Sequence, residues 1–270
     1  MSTLNLIQNS DIRDKMKRGE LVTAGWTQAN SPLVIAALAE HKVIVIDAEH
    51  AGTEVSDVVA LVTAATANGA LCLVRVPQED GPRQPYARRC LDAGVIGVLF
   101  PDVRTKAQAV ERISVCYYPS EETPWGTRGT GFGQSNQFGS DMPGYTSIWN
   151  QKVIAGVQLE HKVAFEDPTL DDILATPGLI FTQDGPYDHS ASYLVSGKTG
   201  DPRVVADLTK YRAACKRHGI VAGKHNVWPD EANIKATVAD GYGFLALGTD
   251  LQLVVAGARR LEELVRKSIG

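Results

Sequence analysis

The chain has 270 residues, of which 44% are hydrophobic and 21% charged, and its formal net charge is −4. This is ordinary for a globular protein, and the mild negative charge gives no basis for binding nucleic acid or an anionic membrane. At this length folding buries about three quarters of the surface of the unfolded chain, so neither disulfides nor a structural metal are needed for stability.

From the N-terminus, Met1–Gly19 is polar and lacks the apolar core of a signal segment. No apolar run approaches the roughly 18 residues of a spanning helix. Cys72, Cys90, Cys116 and Cys215 form no CxxC pair and have no zinc-ligand spacing. Reduced, buried thiols in a cytoplasmic protein are expected.

Eight apolar, β-branched runs follow: Leu21–Trp26, Val43–Asp47, Leu71–Val76, Gly97–Phe100, Val153–Leu159, Leu179–Thr182, Ile220–Gly223 and Phe244–Leu247. Between them lie segments with helical periodicity. Val55–Ala67 places Val58, Val59, Val62 and Ala65 on one face. Gln84–Leu91, Lys106–Ser114, Pro202–His218, Glu231–Asp240 and Leu251–Lys267 are the others. Alternating strands and helices imply a parallel sheet, and continuously apolar strands imply burial on both faces. Eight units without a polar linker predict a (β/α)8 TIM barrel of class α/β, one domain over residues 1–270. The rival is an open doubly wound sheet, but the first strand lacks the GxGxxG turn of its dinucleotide-binding form. Pro119–Asn150 breaks the rhythm. It is rich in Gly, Ser and Pro, and reads as a long functional or disordered loop. Ala191–Asp201 is a second irregular stretch.

Polar residues gather where strands end. Asp47, Glu49 and His50 close the second strand, Arg75 the third and Glu160 the fifth, while Asp188 follows the sixth. In a barrel these positions share the catalytic rim. Glu160 and Asp188 are oxygen donors that suit Mg²⁺ or Mn²⁺ better than zinc. The alternative for Glu160 is to stabilise the start of the helix-like Val163–Asp167. Arg75 offers a bidentate fork to a carboxylate or enolate oxygen, or else a salt bridge to Asp47 or Glu49. His50 titrates near neutrality and is the natural acid/base, unless it is merely hydrogen-bonded.

These residues carry a resemblance. Asp47-Ala48-Glu49-His50-Ala51, Arg75-Val76-Pro77 with Asp80, Arg89-Cys90-Leu91-Asp92-Ala93-Gly94, Thr127-Arg128-Gly129-Thr130-Gly131, Gln158-Leu159-Glu160 and Gly185-Pro186-Tyr187-Asp188 are collinear over most of the chain. In this order the chain resembles the HpcH/HpaI aldolase family, the metal-dependent class II pyruvate aldolases of the macrophomate synthase-like superfamily. The resemblance implies a (β/α)8 barrel, a homo-oligomer that is often hexameric, and a divalent ion such as Mg²⁺ or Mn²⁺. It makes Glu160 and Asp188 the metal ligands and sets Gln158 in the pyruvate pocket. Arg75 holds the keto or enolate oxygen. His50 is the acid/base, steadied by Asp47 and by Asp92 of a neighbouring subunit, and Glu49 holds metal-bound water. Trp26 and Arg128 are assigned to substrate binding.

The implied reaction is cleavage or formation of the C3–C4 bond of a 4-hydroxy-2-oxo acid through a pyruvate-type enolate, with an aldehyde as the other product. Oxaloacetate decarboxylation, or addition of the same enolate to another electrophile, is the alternative. A CoA-ester lyase ranks lower because no basic cluster for CoA phosphates is evident. A non-catalytic metabolite-binding barrel is the remaining reading, and intact buried charges argue against it. Some residues depart from the family pattern: Thr182-Gln183-Asp184 before Gly185, Ser120–Pro124 in the long loop, Asp102, and His189 where Leu is common. His189 and His225 are each either a second acid/base or a packed or solvent-facing histidine. In Leu251–Lys267, Leu253, Val254, Ala258, Leu261, Leu264 and Val265 form an apolar stripe. Helical spacing alone favours packing on the chain's own barrel, whereas the resemblance favours exchange between subunits.

Overall fold

The computed structural model describes residues 2–78, 81 and 83–269. Asp80, part of one motif above, lies outside them. Eight parallel strands close into a barrel: β1 (Val22–Thr27), β2 (Val43–Asp47), β3 (Leu71–Arg75), β4 (Gly97–Phe100), β5 (Ile154–Leu159), β6 (Phe181–Asp184), β7 (Val221–Asn226) and β8 (Phe244–Leu247). β8 returns to β1 with Val22 opposite Phe244, so no sheet edge is left unpaired. The (β/α)8 barrel expected from the alternation is thus the fold.

Burial on both faces explains the apolar strands: inward residues fill the barrel and outward residues pack against the helices. Inside, the Phe181 and Phe244 rings lie 5.0 Å apart. Gly156 makes room for them, since a Cβ there would sit 2.2 Å from the Phe181 ring. Outside, the Thr182 hydroxyl is 2.8 Å from that of Tyr211.

The helices, in order, are α1 (Thr3–Gln8), α2 (Ile12–Lys17), α3 (Pro32–Leu38), α4 (Val55–Ala67), α5 (Pro85–Ala93), α6 (Lys106–Ser114), α7 (Met142–Lys152), α8 (Thr169–Leu174), α9 (Pro186–Ser192), α10 (Pro202–His218), α11 (Glu231–Ala239) and α12 (Asp250–Ile269). The stretch expected to be a loop at 119–150 holds a short 3-10 turn (Gln134–Gly139) and most of α7. Asp141 caps α7 by accepting from the Gly144 N–H, and Pro143 sits in the first turn, where it lacks no needed hydrogen bond. Tyr145 and Trp149 are buried and tie the helix to the core.

The four cysteines are buried and none is in a disulfide. Among the described residues no helix is long and apolar enough to cross a membrane. After β8 the chain is fastened by Asp250, whose carboxylate accepts from Thr27 Oγ1 at 2.6 Å and from the backbone N–H groups of Gln28 and Ala29. Beyond it α12 stands clear of its own barrel. Val254, Leu261, Val265 and Ile269 are 69%, 65%, 52% and 80% exposed. Packing on the same barrel, which helical spacing alone favoured, is not found.

Candidate active site

Parallel register builds the rim. Asp47 at the end of β2 lies opposite Arg75 at the end of β3, and both side chains turn inward. Arg75 donates a bidentate pair to Asp47, Nε to Oδ1 at 3.0 Å and Nη2 to Oδ2 at 2.7 Å. Its Nη1 is 3.1 Å from Glu49 Oε2. The salt-bridge reading of Arg75 is therefore realised, and it coexists with a guanidinium that lines a cavity. Trp26 lies beneath it, with the guanidinium carbon 4.8 Å from the indole centroid.

Asp47 also accepts from Gln28 Nε2 at 3.0 Å, from Trp26 Nε1 at 3.4 Å, and from the backbone N–H groups of Glu49 and His50. Burial would raise its pKa, but the Arg75 hydrogen bonds and charge prevail and hold it below the usual carboxylate range. Asp47 thus steadies the backbone of the Asp47–His50 turn, not the His50 imidazole, as the resemblance had implied. That imidazole is 58% exposed, with Nε2 3.8 Å from Glu49 Oε2.

Glu160 follows β5 and is buried. Its Oε2 accepts from Gln158 Nε2 at 2.5 Å and its Oε1 from the Asp102 N–H at 2.8 Å. Asp102 reaches that position with φ 47, a left-handed conformation that is costly for a non-glycine residue and found where a site demands it. Glu160 caps no helix: the following 3-10 turn (Lys162–Phe165) is capped by His161 Nδ1. Gly185 is required beside it, because a Cβ there would lie 2.3 Å from Glu160 Oε2. Asp188, on α9, shares a cavity of about 270 Å³ with Glu160, Glu49, His50, Asp102 and Arg104.

Burial first, then the charges of Glu49 and Asp188, push the Glu160 carboxyl up to about 8. Burial likewise raises Glu49. Negative charge that raises the Glu160 pKa in this cavity fits a cation, which would reverse the repulsion. Among the described residues no group of three or more His, Cys, Asp or Glu side chains could hold a metal on its own. Glu160 and Asp188 make an open, all-oxygen pair. Magnesium-type ions take such pairs, keeping other positions for water or substrate.

A second cavity, of about 370 Å³, adjoins the first and shares His50 and Asp188. Trp26, Arg75, Gln158, Gln183 and His225 line it. Arg128, expected to bind substrate, does not reach this rim. Arg128 lies 4.0 Å from the Trp149 ring centroid and 4.6 Å from that of Tyr118, and it pairs with Asp92 at 3.3 Å. Within its own barrel Arg128 is a packed cation, which corrects its assignment to substrate binding there. Asp92 lies in the last turn of α5, the end turned away from the rim. His189 is fully buried, 3.0 Å from Asp207 and stacked on Phe165 at 4.2 Å, so of the alternatives it is the packed histidine. Asp102, a departure expected near the rim, lines it; Gln78 and Arg104 were not foreseen as lining residues, and both donate to the Asp102 carboxylate. The departure at Asp102 was the available signal.

The sequence profile of the HpcH/HpaI aldolase/citrate lyase family matches residues 25–256. A 5-keto-4-deoxy-D-glucarate aldolase of Salmonella arizonae is 29% identical over 245 residues, 90% of this chain and 91% of that one. A crystal structure of an HpcH/HpaI aldolase/citrate lyase family protein from Burkholderia cenocepacia superposes with a TM-score of 0.87 at 27% identity, covering 95% of this chain and 99% of the other. An HpcH/HpaI aldolase from Desulfitobacterium hafniense gives 0.84 at 26% identity, over 94% and 96%.

Proposed function

The chain belongs to the HpcH/HpaI aldolase/citrate lyase family and is a metal-dependent carbon–carbon lyase; from that premise we propose which residues carry the reaction. The substrate is a 4-hydroxy-2-oxo acid, and the bond cleaved or formed joins C3 of a pyruvate unit to an aldehyde carbon. The observation that carries the assignment is the convergence of Glu160 and Asp188 on one cavity beside Arg75. Glu160 and Asp188 would hold the ion, Mg²⁺ or Mn²⁺. When bound, it supplies Lewis-acid stabilisation of negative charge developing on the keto oxygen.

The chain's own residues do the rest. Arg75, held by Asp47 from behind, presents a fixed positive charge to the cavity where that charge develops, and it needs no reorganisation to do so. Gln158 orients Glu160 and keeps one amide oxygen for the pocket. His50, exposed at the mouth, removes the C4 hydroxyl proton in cleavage and returns it in addition. Glu49 sits between His50 and Arg75 and orders water at the mouth.

We read the chain as one barrel domain acting in the cytoplasm as a homo-oligomer, hexameric by family resemblance. The exposed apolar face of α12 supports exchange of that helix with a neighbouring subunit. Asp92 then serves a neighbour's rim.

The test is enolisation of pyruvate in D₂O, followed as loss of the methyl proton signal. We expect exchange with Mg²⁺ or Mn²⁺, none with chelator, and none in Glu160→Ala that remains folded. Metal-independent exchange, or none with any divalent ion, would remove the assignment.

A further inference from the structure

The 370 Å³ cavity holds more hydrogen-bond acceptors than its own side chains use. His225 Nε2 lies 2.9 Å from the carbonyl oxygen of Gly248. A carbonyl only accepts, so Nε2 carries the ring proton. Burial pushes the imidazole down to about 4, which leaves it neutral at pH 7 with a bare lone pair on Nδ1. The ring is stacked on Trp26 at 4.4 Å and 19°, so the direction of that lone pair is set.

Gln158 is fixed by the same logic. Its Nε2 must donate to the Glu160 carboxylate, and its Oε1 is left buried without a partner. Gln183, 1% exposed, brings a further unpartnered amide oxygen. Leaving buried acceptors unmet is costly. A ligand rich in hydroxyl donors removes that cost.

Charge points the same way. Among the described lining residues Arg75 is the permanent cation, and its guanidinium is already engaged by Asp47 and Glu49. Asp184 and Asp188 line the cavity too. A further carboxylate on the substrate would meet no uncommitted cation there.

We propose that this cavity selects an uncharged, hydroxylated aldehyde as the second reactant, with His225 Nδ1 accepting a hydrogen bond from a substrate hydroxyl. The proposal rests on the aldolase reading above and names the class of its unassigned partner. His225 is then a specificity-determining residue, not an acid/base.

The experiment measures kcat/KM for aldol addition of pyruvate to three probes: glyceraldehyde, propanal, and the acidic aldehyde glyoxylate. It uses the Mg²⁺-loaded wild-type enzyme, His225→Phe and His225→Gln. Pyruvate proton exchange is recorded in parallel on wild type. Glyceraldehyde should exceed both other probes by at least about tenfold, the fold-change expected when one buried acceptor is left unmet. In His225→Phe the glyceraldehyde-to-propanal ratio should fall by about tenfold. His225→Gln, which keeps an acceptor, should retain part of the preference even if the Phe variant does not fold. Absent exchange would sink the aldolase reading and the proposal with it. Intact exchange with glyoxylate preferred, or with a ratio indifferent to both substitutions, would overturn the proposal alone.

Discussion

Gly185→Ala should displace Glu160, the proposed metal ligand, without removing a charge. The backbone at Gly185 has φ −116, which any residue adopts, so the substitution adds no torsional strain. Its whole effect is steric. The new Cβ would meet Glu160 Oε2 at 2.3 Å, Glu160 Cβ at 2.7 Å and Gln158 Nε2 at 2.8 Å. The carboxylate must retreat by about 1 Å to reach the 3.4 Å of ordinary contact. That retreat strains both bonds that orient it, from Gln158 at 2.5 Å and from the Asp102 N–H at 2.8 Å. Hydrogen bonds to a charged group contribute about 1.5–3 kcal/mol each. Losing one and weakening the other costs about 2–4 kcal/mol of ligand positioning, or roughly 30- to 1,000-fold in metal affinity. Titration calorimetry with Mn²⁺ at fixed pH reads this directly. Gly52→Ala is the control, because a Cβ there meets nothing within 4 Å. Mn²⁺ binding by Gly185→Ala within threefold of wild type would refute Glu160 as a ligand at this position.

Arg75→Lys keeps the charge but loses the fork to Asp47. Turnover should drop by about 10²–10³, the scale for one lost oxyanion donor, with Mn²⁺ affinity changed far less; wild-type turnover would remove Arg75 from the mechanism. Stability of the metal-free protein should fall as pH rises from about 4.5 to 8. The Glu160 carboxyl is raised from 4.5 to about 8, and Asp184 from 3.8 to about 6, so in this window the folded state binds more protons than the unfolded state. Saturating Mg²⁺ should flatten the Glu160 part of that slope, as thermal melts across the range would show; identical slopes with and without the ion would contradict the charge argument. Leu261→Glu with Leu264→Glu, on the exposed face of α12, should shift the mass measured by light scattering toward a monomer, and an unchanged mass would exclude this face from assembly.

Apolar periodicity announced the elements whose buried faces are regular. Val43–Asp47, Val55–Ala67, Lys106–Ser114 and Phe244–Leu247 lie where the sequence placed them. It fell short where the site intrudes. β6 continues through Gln183 and Asp184, and β7 through Lys224, His225 and Asn226, because Gln183, Asp184 and His225 line the cavity and Asp184 and Asn226 form side-chain hydrogen bonds. A strand that lines a polar pocket lacks the pattern used to find it. α7 was hidden differently. Pro143 and Gly144 read as loop, and only the Asp141 cap makes them the first turn of a helix. Of the site residues, those that close apolar strands were legible. Arg128 misled, because sequence order carries no information on which side of the barrel a loop folds.

Charge balance explains why Arg75 alone cannot hold this rim together. Asp47, Glu49, Glu160 and Asp188 crowd one mouth, and Arg75 answers only the first two. Asp47 settles below its ordinary range, but Glu160, on the far side of Gln158, is driven up to about 8. The contrast comes from placement: both carboxylates are buried, and one faces a guanidinium while the other faces like charge. An arrangement that leaves a buried carboxylate this strained costs stability unless something cationic is bound. On the proposed assignment a divalent ion would therefore act twice. It would relieve Glu160, and it would leave Arg75, already held by Asp47, free to serve in a fixed position for the substrate oxygen.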